Sequence, residues 1–370
     1  MMSFAKGFLP PLILCLLILI KKLRDHRDKL VRTFPFLKLE SFLPIHQSEL
    51  QGRKLLGFLA GLHLRQPKNT AKLSGFFAPS PQIVQFSLAS PLLARGVLDQ
   101  TKTSATAVDE AGLKQAHDVA ISQAMYQTRN WHRADSVQDV TAQVKNALLP
   151  IAMQVAKNRP NAVSTFVHSE FDCGNPFANE VWATSTSLVS WLLFQLGAHG
   201  EECALVVKEM DDKVGKRVPP SYKEVASFLP MLDHCFLESR RLNTPSKVIH
   251  IDVDRHLEIG DFVVPKGAVL HLPLFLAHHQ EEFFHQPNTF APQRFVERPL
   301  EKENLVLSSN SEADLVAQTV SRAFVAFIVQ QFTISGAKTN LLASEEDHQL
   351  NLPNAKFDLQ FTKREVGRTL

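Results

Sequence analysis

The chain is poor in cysteine, in polar aromatic residues and in net charge. Its 370 residues hold four cysteines, Cys15, Cys173, Cys203 and Cys235, and no C-x-x-C. Such sparse spacing excludes a disulfide framework and fits a reducing compartment, where the thiols are expected to be buried. Lys and Arg number 40 against 37 Asp and Glu, a net charge of +3 that makes no case for a nucleic-acid partner. No G-x-x-x-x-G-K, G-x-G-x-x-G or G-x-S-x-G occurs, which removes phosphate-cradling loops and a serine nucleophile elbow. No internal repeat or low-complexity tract is evident. What the chain does have is phenylalanine, 26 against two Tyr and three Trp, and 45% apolar residues overall. That composition supports a substantial core, in one large domain or two ordinary ones. A Phe-rich interior suits apolar ligands as well as plain packing.

Phe8 to Ile20 is a strongly apolar run without a charge, followed at once by Lys21, Lys22, Arg24 and Arg27. As a helix it spans about 20 Å, short of a hydrocarbon core of about 30 Å. Including Met1 to Gly7, with Lys6 snorkelling, supplies the rest. Charges rather than small residues follow the run, so it reads as a retained anchor, not a cleaved signal. The basic flank on its C-terminal side predicts a body facing the cytosol. Pro10-Pro11 either kinks this helix or sets its start. The expected organisation is a membrane anchor over 1–20, a poorly assignable part over 21–172 and a C-terminal core over 173–370.

The middle of the chain carries weaker signals. Residues 25–32 are charged and read as helical, and 34–64 mix apolar and basic residues. Pro79, Pro81 and Pro91 punctuate a loop-rich stretch, and Ala105 to Val155 reads as helical. Alternation over Val248 to Val253 predicts a strand, within a run of short strands and turns from Lys247 to Leu274. His278, His279 and His285, with Glu281 and Glu282 between them, offer zinc-type donors. Their spacing fits no recognised metal motif, and no metal ligand is assigned.

The most informative stretch is Leu229 to Leu242, which contains Glu238-x-x-Arg241. On a helix that spacing sets carboxylate and guanidinium on one face, and Arg can offer the acid two parallel bonds. Further on comes Phe290-Ala-Pro-Gln-Arg294-Phe295. Leu229-Pro230-x-Leu232-Asp233, Gly260 to Gly267 (a G-x-x-x-V-P-K-G pattern), His278, and Pro292-Gln293-Arg294-Phe295 are four ordered segments. Together they resemble the cytochrome P450 family, with Gln293 replacing a Glu. The resemblance runs from about Val181 to Arg364. It implies a mainly α fold with small β-sheets, a truncated cytochrome P450-like fold. It also implies that Glu238, Arg241 and Arg294 form a structural brace behind a haem-binding core.

Several positions depart from the family pattern. A haem-thiolate enzyme needs an axial Cys thiolate. Ala323 to Phe332 resembles the helix after the ligand loop, and counting back from it puts the Cys slot near Ser311. The stretch from Leu305 to Asp314 holds no Cys and no Gly, and its interval from Arg294 is shorter than the family's. Val181 to Leu196 resembles the oxygen-activation helix, continuing into Ala198-His-Gly-Glu201. There Thr184 falls on the family's Thr, the one catalytic candidate, but Ala183 stands in place of the acid. Thr184, Ser185, Thr186 and Ser187 are instead suited to bonding back to helix carbonyls. Trp131-His-Arg133 does not complete the family's W-x-x-x-R, because Asp135 stands fourth.

The resemblance therefore implies an endoplasmic-reticulum-anchored, P450-like protein of terpenoid, sterol or polyketide metabolism. Its partners are a hydrophobic small molecule and the membrane, with no nucleic acid. Without the thiolate, the expected chemistry is a haem-free catalyst or a non-catalytic binder, a pseudoenzyme in that case. The alternative is a haem-dependent monooxygenase whose ligand loop is missing from the gene model. Only there are haem and a redox partner expected.

Overall fold

The computed structural model describes residues 70–73, 85–88, 90–101, 110–133, 139–159, 162, 171–259, 262–264, 266–306, 311–336, 352 and 359–364. The anchor expected at 1–20 and the readings over 25–32 and 34–64 lie outside them.

The fold is mainly α with small sheets, as the resemblance implied. Its helices are α1 (Pro91–Thr101), α2 (Glu110–Gln127), α3 (Val140–Lys157), α4 (Pro176–Ala198), α5 (Gly200–Lys213), α6 (Tyr222–Ser227) and α7 (Pro230–Leu242). Four more follow: α8 (Leu274–His278), α9 (Arg294–Glu297), α10 (Pro299–Glu303) and α11 (Glu312–Gln331). The helical stretch expected from 105 to 155 divides into α2, a 3-10 turn at Thr128–Arg133 and α3.

Helix α4 is apolar nearly all round and lies buried against α3, α11 and α7, as such a helix must. Pro176 at its first turn and the Asn175 side chain, which accepts from the Ala178 N–H at 3.0 Å, set its start. Trp182 ties it to α3 by donating to the Lys145 carbonyl at 2.7 Å. Helices α2, α3, α4 and α11 share one large apolar core. Trp131 belongs to that core too, 4.9 Å from the ring of Phe361.

Strands β1 (Thr70–Leu73), β2 (Gln85–Leu88), β3 (Ile249–Asp252) and β6 (Val269–Leu272) form one sheet in the order β1-β2-β6-β3. Only the β2–β6 pair is parallel. Strand β2 falls inside the Pro-punctuated stretch that read as loop. Strands β4 (Leu257–Ile259) and β5 (Phe262–Val264) make a hairpin. Strand β7 (Phe332–Ser335) pairs antiparallel with β8 (Gln360–Lys363), the closing strand. Between β5 and β6 the chain turns at Gly267, whose φ of 82° suits a residue with no Cβ. A second apolar cluster joins α1 to this sheet region. A third, of Leu237, Phe284, Phe295 and Leu305, lies under the polar site described next.

Candidate functional site: a buried ion network and the start of helix α11

Helix α7 positions the centre of the network. Pro230 sits in its first turn, and the Glu209 carboxylate of α5 accepts from the N–H groups of Met231 (3.0 Å) and Leu232 (3.1 Å). A carboxylate at that end satisfies free N–H groups and meets the favourable pole of the helix dipole. The last turns then present Glu238 and Arg241 to the loop that follows α8.

Glu238 and Arg241 are both 0% exposed. Arg241 donates Nε to Glu238 Oε2 at 2.9 Å and Nη2 to Oε1 at 3.0 Å. Glu238 Oε1 also accepts from Arg294 Nε at 2.9 Å and from the Ala291 N–H at 3.0 Å. The remaining guanidinium N–H groups reach backbone carbonyls. Arg241 donates to His278 (2.8 Å), Pro287 (2.7 Å) and Thr289 (3.3 Å). Arg294 donates to His285 (2.6 Å), Gln286 (3.3 Å) and Thr289 (3.2 Å). Gln286 holds a left-handed backbone (φ 48°), uncommon for a residue other than glycine.

Two buried guanidinium groups need two negative charges. The second is Glu301 of α10, which accepts from Arg294 Nη1 at 2.7 Å and from the His285 N–H at 3.2 Å. Sequence reasoning missed Glu301. A Glu in a one-turn helix after Pro299 looks like any solvated acid, and only its place seven residues after Arg294 was available as a signal.

His278 is buried. Its Nε2 accepts from the Val306 N–H at 3.1 Å, so the neutral ring carries its proton on Nδ1. Burial, then the neighbouring Arg241 charge, holds its pKa well below the ordinary histidine value. The other two histidines of that cluster diverge. His279 stacks on Phe275 and bonds its carbonyl through Nδ1, and burial lowers its pKa to about 4. His285 is exposed. Among the described residues no three or more His, Cys, Asp or Glu side chains gather as a metal cluster.

The start of α11 is the second polar centre. Ser311 is its N-cap, accepting from the Asp314 N–H at 3.1 Å and donating to Glu180 of α4 at 2.6 Å. Asp314 accepts from Arg240 Nη2 at 3.2 Å and from Gln318 at 2.7 Å. Arg159, after α3, pairs with Glu312 at 3.0 Å. Arg240 Nη1 and Arg159 Nη2 are buried without a partner among the described residues. On α4, Ala183 and Thr184 are both buried, while Ser185 and Thr186 donate back to the Val181 and Trp182 carbonyls at 2.6 and 2.7 Å.

Haem, which the resemblance implies, does not fit these donors. The Cys slot that the resemblance implies falls near Ser311, whose hydroxyl is already committed in both directions. The described thiols lie elsewhere. Cys203 on α5 and Cys235 on α7 are buried, and burial pushes both thiols up, away from the thiolate an iron would need. Cys173 precedes α4 and donates to Asn179 at 2.9 Å.

Comparison with known proteins bears on the same segment. Residues 177–310 match the family model "Cytochrome P450". The chain is 28% identical over 124 residues to "Cytochrome P450 3A7" of Homo sapiens, covering 34% of this chain and 24% of that protein. It is 27% identical over 213 residues to "Probable cytochrome P450 4d20" of Drosophila melanogaster, covering 57% and 41%. It is 25% identical over 256 residues to "Steroid 17-alpha-hydroxylase/17,20 lyase" of Gallus gallus, covering 64% and 49%. The chain thus spans between a quarter and a half of the length of these relatives. Among the described residues no helix is long and apolar enough to cross a membrane. The match encloses Glu238, Arg241, Arg294 and Glu301, and over it the chain is similar to the cytochrome P450 family.

Proposed function

We propose that this chain is a P450-fold protein that handles an apolar small molecule at the endoplasmic reticulum membrane without haem-thiolate chemistry. The observation that carries the reading is the Ser311–Glu180 bond, which joins the start of α11 to α4 where a thiolate would be needed. A serine hydroxyl stays protonated near neutrality and is a poor iron ligand. Glu238, Arg241 and Arg294 act in this reading as a brace that serves the fold with or without iron. The steroid-processing relatives support a sterol- or terpenoid-sized ligand, and the apolar run from Phe8 to Ile20 with the basic residues after it supports the membrane setting. Thr184 is the polar candidate for contact with that ligand. With Ala183 beside it in place of an acid, it has no proton-relay role here.

The test is expression with added haem precursor, reduction, and exposure to carbon monoxide. The expected spectrum has no thiolate-type Soret band. A stoichiometric band of that type overturns the reading in favour of the haem-dependent monooxygenase and its redox partner. Incubation with candidate sterols and terpenoids, followed by product analysis, then separates a haem-free catalyst, which changes the molecule, from a binder, which retains it unchanged.

A further inference from the structure

Helix α6 rests on the molecule through few contacts. Of its six residues only Val225 is buried. Its start is set by the side chains of Ser221 and Glu224, each accepting from the other's backbone N–H. Gln330 of α11 grips the loop before it, donating to the Gly215 and Val218 carbonyls at 2.8 and 2.6 Å. On the α2 side the rings of Tyr222 and His117 meet at 76°, with centroids 5.8 Å apart. His117 is 2% exposed. We propose that His117 is a proton-operated latch, which holds α6 against α2 while its ring is neutral and releases it when the ring is protonated.

His117 Nδ1 lies 3.1 Å from Asp118 Oδ1, and an ionised carboxylate can only accept, so the neutral ring carries its proton on Nδ1. Nε2 is then a lone pair, buried with no partner among the described residues. A proton placed there makes a buried donor without an acceptor, which is costly. The carboxylate facing it from α6 is Glu224, already accepting the Ser221 N–H and hydroxyl, both at 2.7 Å. Protonation therefore either draws Glu224 out of the cap or drives the ring toward water, and both loosen α6. Two carboxylates act on the ring, Asp118 from its own helix and Glu224 from α6, and no charge of α3 or α11 among the described residues does. Burial outweighs their attraction and holds the His117 pKa below the ordinary histidine value. The Tyr222 phenol stays neutral, pushed up by burial and then by Glu110. Opening α6 returns water to the ring and restores its ordinary proton affinity, so acid favours the open form. A short helix with one buried side chain is the kind of element that opens locally while the rest stays folded.

The experiment is amide hydrogen exchange on the full chain between about pH 7 and pH 5, corrected for the intrinsic rate, with the His117 ring followed by nitrogen NMR. The Val225 and Phe228 amides bond the Ser221 and Glu224 carbonyls. Their protection is expected to fall by up to about tenfold per pH unit below about pH 6.5, one proton being linked to opening. The ring is expected to carry its proton on Nδ1 at neutral pH and to gain the second in step with that loss. His117→Gln, whose side chain does not titrate, is expected to leave the protection of α6 independent of pH. His117 is buried and its variant can misfold, in which case the ring titration of the parent decides. Protection of α6 that stays level in the parent, or that falls equally in His117→Gln, overturns the inference, as does a ring that takes up its second proton while α6 stays protected.

Discussion

The two polar centres differ in how completely they are satisfied. Around Glu238, every guanidinium and carboxylate group meets a partner, and the two Arg charges are matched by Glu238 and Glu301. At the start of α11, Arg240 and Arg159 each keep a buried nitrogen without a partner among the described residues. A buried charge costs much free energy unless it is both paired and hydrogen-bonded. The first centre is therefore built so that removing one member exposes the full penalty on the rest. The second is a looser join, held by a cap and a few paired side chains.

The strongest way to break the comparison is Arg241→Ala. It leaves Glu238 buried beside Arg294 alone and is expected to cost about 3–5 kcal/mol. Soluble yield and the urea midpoint measure it, and a soluble protein with an unshifted midpoint counts against a brace. Acid should separate the centres next. His278, whose carbonyl holds Arg241, has a folded pKa depressed below the unfolded value of about 6.5. The unfolded chain then binds more protons, so stability is full above about pH 6.5 and falls as pH drops toward the folded pKa. His271, at about 4 in the fold, acts in the same direction. Each contributes a slope of about 1.4 kcal/mol per pH unit inside that window. Helix α11 contains no histidine. Amide exchange between pH 7 and 5 is therefore expected to quicken around residues 278–294 before α11. His278→Gln, which keeps an acceptor for the Val306 N–H, should flatten the slope. The smallest effect is Ser311→Ala, which removes the cap and the bond to Glu180. It is expected to cost about 1 kcal/mol, up to about 2, read as a lowered thermal midpoint.

Legibility in the sequence followed the range of the contacts. Helices α4, α7 and α11 were readable because apolar patterning and a Pro at the start of α7 are local. So was the pairing of Glu238 with Arg241, three residues apart. Arg294 became readable through the family resemblance. Glu301 and the Arg240–Asp314 pair were not, since the latter joins residues 74 apart and neither has a distinctive local signal. The Ser311 cap could have been found from Ser311-Glu-Ala-Asp314, a cap-type spacing before an apolar run. Its reach to Glu180, 131 residues away, could not. Strand β2 was hidden by its shortness and by Pro81 and Pro91 on either side. It exists because β1 and β6 complete its hydrogen bonding, which no window of local sequence contains.

The link from α8 to α9 is gripped by its main chain. Carbonyl oxygens of His278, His285, Gln286, Pro287 and Thr289 take the guanidinium hydrogens, and most of the side chains from 281 to 289 point outward. Such a segment can drift widely in residue identity without losing its course. Its length is another matter, because inserting or deleting one residue would slide the whole row of oxygens out of register with two fixed cations.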